Sequence, residues 1–314
     1  MDSFLALTLH FLLFFLLRAE STTFTFVNRC GSTVWPGILS NAGSSKLAST
    51  GFELGSGESR AFPAPAAWSG RFWARTGCNF DSSGRGSCAT GDCGSGAVEC
   101  NGAGAAPPAT LAEFTLASSS SSSSKDFYDV SLVDGYNIPM VVEASNGCTA
   151  TGCVVDLNQR CPAELKVGEG DGEACRSACE AFAKPEYCCS GAFSSPATCK
   201  PSVYSQMFKS ACPRSYSYAF DDPTSTFTCS GGADYTITFC PSSSPSSQKS
   251  SRDSSTSSTP TPRATGTGVM LENNDSWLAS LATGDATATL QTVPFLHQSF
   301  LMVAITSFLL LMLL

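Results

Sequence analysis

Gly84-Arg85-Gly86-Ser87-Cys88-Ala89-Thr90-Gly91-Asp92-Cys93-Gly94-Ser95-Gly96-Ala97-Val98-Glu99-Cys100 is the stretch on which the fold of this chain turns. Its three cysteines belong to a set of 16, all of them between Cys30 and Cys240. An even count at this density, behind a secretory segment, reads as an oxidised disulfide framework rather than as reactive thiols. Zinc would compete for the same residues, but no C-x-x-C occurs. The nearest spacing is the C-x-x-x-C of Cys175 and Cys179, so neither metal nor cofactor is expected.

Working outward, the cysteines bound a folded middle from Thr22 to Pro241, long enough to bury a real core. Short alternating or β-branched runs cross it at Thr23 to Asn28, Thr33 to Trp35, Arg71 to Arg75, Thr110 to Leu116, Phe127 to Val133, Pro139 to Glu143 and Tyr235 to Cys240. Gly, Pro, Asn and Ser punctuate them. Many short strands without intervening helices predict a mainly β, antiparallel sandwich. Helical patterning appears only at Glu173 to Phe182 and Val203 to Ser210, where cysteines crowd together, and predicts a separate disulfide-rich lobe. No internal repeat is present. The serine run from Ser118 to Ser124 reads as an expanded surface loop.

Both histidines, His10 and His297, lie in the terminal apolar segments, outside the folded middle. That removes Ser-His-Asp and Cys-His catalysis and the usual histidine metal centres. Any chemistry falls to carboxylates, helped by Arg, Lys or Tyr. The middle carries 14 Lys and Arg against 20 Asp and Glu, a net charge of −6, with no basic run. Nucleic acid is therefore not the expected partner, and a neutral or cationic ligand suits the field better.

The two ends carry different signals. Met1 to Leu17, with the apolar run Phe11 to Leu17, reads as a signal peptide, and Ala19-x-Ser21 predicts cleavage after residue 21. Residues 241–270 hold 20 Ser, Thr or Pro among 30, too little apolar surface to fold. With the Asn274-Asp275-Ser276 acceptor, residues 242–284 read as a glycosylated stalk. Phe300 to Leu314 is apolar and shorter than the about 20 residues a membrane-spanning helix needs. Gly284-Asp285-Ala286, a spacer and this tail follow the order of a glycosylphosphatidylinositol signal. The expectation is a lipid anchor at Gly284 or Asp285, loss of 285–314, and a location on the extracellular face of the plasma membrane.

The stretch 84–100 resembles the signature of the thaumatin family at each specified position, and the likeness extends over nearly all of Thr22 to Pro241. It runs through Val27-Asn28-Arg29-Cys30, Thr33-Val34-Trp35-Pro36, Trp73-Ala74-Arg75-Thr76-Gly77-Cys78, Pro107-Pro108-Ala109-Thr110-Leu111-Ala112-Glu113-Phe114 and Asp221-Asp222-Pro223-Thr224-Ser225-Thr226-Phe227-Thr228-Cys229. The resemblance implies a flattened sandwich of about eleven strands. It adds a helical disulfide-rich lobe near 154–213 and a disulfide-held loop region near 78–108. It also implies the pairs Cys30–Cys240, Cys78–Cys88, Cys93–Cys100, Cys148–Cys229, Cys153–Cys212, Cys161–Cys175, Cys179–Cys188 and Cys189–Cys199. Spacing alone leaves the connectivity open, except that vicinal Cys188 and Cys189 should take separate partners. The segment between Cys189 and Cys199 is longer than the family's usual one.

Members of the family carry an acidic cleft between sandwich and helical lobe, and the matching residues here are Arg71, Glu113, Asp129, Asp134 and Asp221. Arg75 shares the strand parity of Arg71 and stands as its alternative, as Asp222 does for Asp221. In Thr110 to Leu116 the apolar face is Ala112, Phe114 and Leu116, which turns Glu113 to the opposite face. Asp129 and Asp134 differ in parity, so a turn at Gly135 would have to bring Asp134 round. Three functions follow as expectations. One is recognition of β-1,3-glucan or another wall polysaccharide in defence; the second is weak endo-β-1,3-glucanase action with Glu113 as acid and Asp129 as partner. The third is a non-catalytic wall scaffold, and a monomer is expected throughout. Against all three stands the possibility that these carboxylates only solvate a sheet face.

Overall fold

The computed structural model describes residues 21–118 and 123–242. The signal peptide, the stalk with Asn274, and the attachment signal at Gly284 or Asp285 lie outside the described residues, as does part of the serine run.

Fourteen strands are present in this span: β1 Ser21–Asn28, β2 Trp35–Ser40, β3 Ser59–Pro65, β4 Ser69–Arg75, β5 Asn79–Phe80, β6 Gly86–Ser87, β7 Leu111–Thr115, β8 Lys125–Ser131, β9 Met140–Ala144, β10 Thr151–Cys153, β11 Lys166–Val167, β12 Ala174–Cys175, β13 Phe227–Ser230 and β14 Tyr235–Phe239. Ten of them form the sandwich. One sheet runs β10-β9-β14-β1-β3, the other β13-β8-β7-β4-β2, and β5-β6 and β11-β12 are separate two-stranded ribbons.

The sandwich follows from strand alternation. In β1 every second residue is buried, so Phe24 and Phe26 face inward while Thr23 and Thr25 face out. Opposite them, β4 contributes Phe72 and β7 contributes Phe114, whose rings lie 4.8 and 4.7 Å from that of Phe24 in edge-on packing. Aromatic pairs of this kind add to area burial alone. The sandwich is antiparallel except at one place. β1 and β14 pair in parallel, Phe24 opposite Tyr235 through Asn28 opposite Phe239. Both ends of the domain therefore enter the middle of one sheet side by side, and Cys30–Cys240 ties them just beyond their last paired residues.

Local chemistry explains where the elements depart from the sequence expectation. Pro63 and Pro65 in β3 are tolerated because it is an edge strand, where a missing N–H breaks no ladder on the open side. The helix expected from Glu173 begins only at Ala178. Ala174–Cys175 is instead paired with Lys166–Val167, and Ser177 caps the helix by accepting from the Glu180 N–H at 3.2 Å. The second helix spans Val203–Ala211 behind the Ser202 cap.

Eight disulfides hold the domain, Cys30–Cys240, Cys78–Cys88, Cys93–Cys100, Cys148–Cys229, Cys153–Cys212, Cys161–Cys175, Cys179–Cys188 and Cys189–Cys199, and no cysteine is free. Two structures cover the outer face of the second sheet. The loop region packs Cys93 and Cys100 on Trp73 and Leu111. The helical lobe has its own small core, in which Leu165 and Phe208 meet Leu132 and Tyr136 from the end of the sheet. Between these two covers a pocket reaches the outer face of β4 and β7 at Arg71 and Glu113.

Candidate functional site

Strand register builds the site. Arg71 on β4 stands directly opposite Glu113 on β7, and Glu113 directly opposite Asp129 on β8. Directly paired residues share a sheet face, so the three form one row across adjacent strands, on the side away from the core. Phe72, Ala112 and Val130, one position along, point inward and are fully buried. The Arg71 Nε lies 3.9 Å from the Glu113 Oε1. Asp134 joins them from beyond the end of β8. Gly135, at φ +85°, makes the turn, and its N–H bonds the Leu132 carbonyl at 3.0 Å.

Arg71, Glu113, Ser131, Val133, Asp134 and Tyr216 line a pocket of about 380 Å³, open to solvent, between the sandwich and the helical lobe. The two alternatives left by the sequence separate here. Arg75 has the same parity as Arg71, but its side chain is fully buried in the loop region. It donates to the Trp35 carbonyl at 3.0 Å and to the Val98 carbonyl at 2.6 Å. Asp221 is drawn away from the pocket wall. Its Oδ2 is 3.0 Å from the Lys209 ammonium and accepts from the Ser217 N–H and hydroxyl at 3.0 and 2.9 Å. Asp222 is the one whose charge bears on Asp129, and it also accepts from the Tyr216 hydroxyl at 3.1 Å.

Burial governs the electrostatics. It pushes the Glu113 carboxyl up to about 7, with Arg71 opposing the rise and Asp134 adding to it. Asp129 is wholly buried, and neither carboxyl oxygen has a hydrogen-bond partner among the described residues. Its pKa is pushed well above the usual range by burial first, then by the charges of Glu113 and Asp222. Asp134 is raised as well, again by burial against the pull of Arg71. A buried carboxyl without partners escapes its desolvation cost by keeping its proton. The three therefore shift in one direction. Hydrolysis by two carboxyls requires a pair split into a protonated acid and an ionised partner about 5 to 9.5 Å apart, and Glu113, raised to about 7, has the character of the acid. What the pocket offers is the carboxyl groups of Glu113 and Asp134 beside the Arg71 guanidinium, a surface suited to hydroxyl groups.

Two residues absent from the sequence expectation belong to the site. Tyr216 lines the pocket from the segment that pairs with Ser131. Glu180, on the helix Ala178–Phe182, is pushed up to about 7 by burial, opposed by Arg176 and reinforced by Asp134. The only sequence signal for Glu180 was its place one turn after Arg176. Among the described residues no three Asp, Glu, Cys or His side chains converge to hold a metal ion.

The chain matches a family model described as "Thaumatin family" over residues 28–241. It is 66% identical over 250 residues to Thaumatin-like protein 1 of Arabidopsis thaliana, covering 76% of this chain and 95% of that one. It is 60% identical over 230 residues to Pathogenesis-related thaumatin-like protein 3.5 of Cryptomeria japonica, covering 72% and 92%. Among solved structures, a thaumatin-like xylanase inhibitor aligns with a TM-score of 0.40 and 25% identity, over 69% of this chain and 99% of the inhibitor.

Proposed function

This chain belongs to the thaumatin family, and on that premise we propose that it is an extracellular plant defence-type protein that binds β-1,3-glucan or a related wall polysaccharide in its inter-lobe cleft. One observation carries the reading. Arg71 and Glu113, set opposite each other by strand register, line the pocket together with Asp134 as a wall of polar groups around one cation, with Asp129 buried beside Glu113 on the next strand. A neutral polyol makes full use of such a wall, and an anionic ligand would face a domain of net charge −6. Hydrolysis is the second reading. The raised pKa of Glu113 favours it, since that carboxyl holds a proton near neutral pH and has the character of a general acid. Recognition is preferred because Asp129, the expected partner carboxyl, is wholly buried and does not line the pocket. A wall-facing scaffold without a ligand is the remaining class.

The protein acts, in this proposal, from the outer leaflet of the plasma membrane, on a glycosylated stalk that includes Asn274 and a lipid attached at Gly284 or Asp285. Phosphatidylinositol-specific phospholipase C should then release it from intact cells, and retention with Leu314 still detectable would argue for a membrane span. For the cleft, the test is retention on insoluble β-1,3-glucan measured beside reducing-sugar release from laminarin. Retention without release supports recognition, release supports hydrolysis, and neither supports the scaffold.

A further inference from the structure

Beside the acidic cleft a second pocket of about 400 Å³ opens on the helical lobe. Among its lining residues are Tyr187, Tyr204 and Tyr218, with the exposed Glu186 and Lys200. The two openings are neighbours. Val133 lines both, and the segment 216–219 supplies Tyr216 and Ala219 to the cleft and Ser217 and Tyr218 to the lobe pocket.

We propose that this pocket is a second sugar-binding subsite, which takes the units of an oligosaccharide that run past the cleft. The inference rests on the glycan reading of the cleft and extends it. Its chemistry differs from that of the cleft, because Tyr187, Tyr204 and Tyr218 stand in its lining where the cleft has carboxyls. Concave sites lined by aromatic side chains with a few polar groups are the usual form of a small-molecule site. A pyranose ring has apolar C–H faces and a hydroxyl rim, and the lobe pocket offers Tyr rings for the first and Glu186 and Lys200 for the second. The rings are held in advance. Tyr187 and Tyr204 lie 6.2 Å apart and nearly perpendicular, each packed on Phe182 at 5.6 and 5.4 Å. The Tyr204 hydroxyl is pinned to the Glu164 carboxylate at 3.0 Å. Cys179–Cys188 and Cys189–Cys199 fix the segments that carry Tyr187 and Lys200. Little side-chain freedom is then lost on binding, which favours affinity.

The consequence is a dependence on chain length. Calorimetric titration of the purified protein with a β-1,3-linked trisaccharide and hexasaccharide should show the longer ligand bound at least tenfold more tightly. The double variant Tyr187→Ala, Tyr218→Ala should lose that advantage while its trisaccharide affinity stays within about twofold of the parent's. Tyr187→Phe, Tyr218→Phe keeps the ring faces and should keep the advantage. Glu186→Ala, at an exposed position, should weaken the hexasaccharide severalfold and leave the trisaccharide unchanged. Equal affinity for both ligands in the parent would overturn the subsite and leave the cleft reading intact. So would a length advantage that survives both Tyr187→Ala, Tyr218→Ala and Glu186→Ala. Failure of the parent to bind either saccharide would overturn the glycan reading itself, and the subsite with it.

Discussion

Glu113→Gln keeps the size of the side chain and removes its titration, so it isolates the effect of burying a carboxyl in the row. Folding raises the pKa of Glu113 from its ordinary 4.5 to about 7, chiefly by burial. In the unfolded chain the group titrates near 4.5. Between the two values the folded state holds the extra proton, so stability falls as pH rises. The full contribution is present below about pH 4.5, is lost progressively through 7, and stays lost above it. At 1.36 kcal/mol per unit the loss reaches about 3 kcal/mol by pH 8. The amide carries the neutral form at every pH. Glu113→Gln should therefore match the parent at pH 4 and exceed it by about 3 kcal/mol at pH 8. For a domain of this size, that difference is roughly 6 to 12 °C in Tm. Guanidinium unfolding at pH 4, 6 and 8 with the disulfides intact reads the effect directly. Parallel pH profiles for parent and variant would mean that the Glu113 carboxyl is solvated, and the account of a neutral cleft wall would fail.

Two further outcomes test the frame around the cleft. Arg75→Leu leaves the carbonyls of Trp35 and Val98 without their guanidinium donors in a buried site, so it should cost about 3 kcal/mol and open the 78–100 loops to limited proteolysis; unchanged stability and protection would show that the loop region stands without it. Removing Cys30–Cys240 by paired Ser replacement frees a loop of 210 residues in sequence separation and should cost about 5 kcal/mol in the chain-entropy model, measured as a lower denaturation midpoint; a midpoint within error of the parent would contradict that role.

How much of this was legible in the sequence depends on the range of the interaction. Alternation in Thr23 to Asn28 and in Thr110 to Leu116 is local, so the inward faces of β1 and β7 could be read directly, and with them the outward face of Glu113. Proline hid β3, because Pro63 and Pro65 argue against a strand until its edge position is known. The parallel pairing of β1 with β14 joins residues more than two hundred apart and leaves no local trace. Connectivity among 16 cysteines came only through family resemblance, since spacing fixes no more than the separation of Cys188 from Cys189. At the site, parity could not choose between Arg71 and Arg75. The choice is made by what covers each one, open cleft for the first and loop carbonyls for the second. The full burial of Asp129, the electrostatic influence of Asp134 on Glu180, and the diversion of Asp221 to Lys209 all arise where the lobe packs on the sheet. No short-range pattern encodes that packing.

Retention on insoluble β-1,3-glucan of a Glu113→Ala, Asp129→Ala, Asp134→Ala protein tests whether the carboxyl row binds glycan. The comparison is made on material whose eight disulfides map as in the parent. The account predicts that the parent is retained and the triple variant passes through. Equal retention of the two would contradict it and reduce the row to a solvated sheet face.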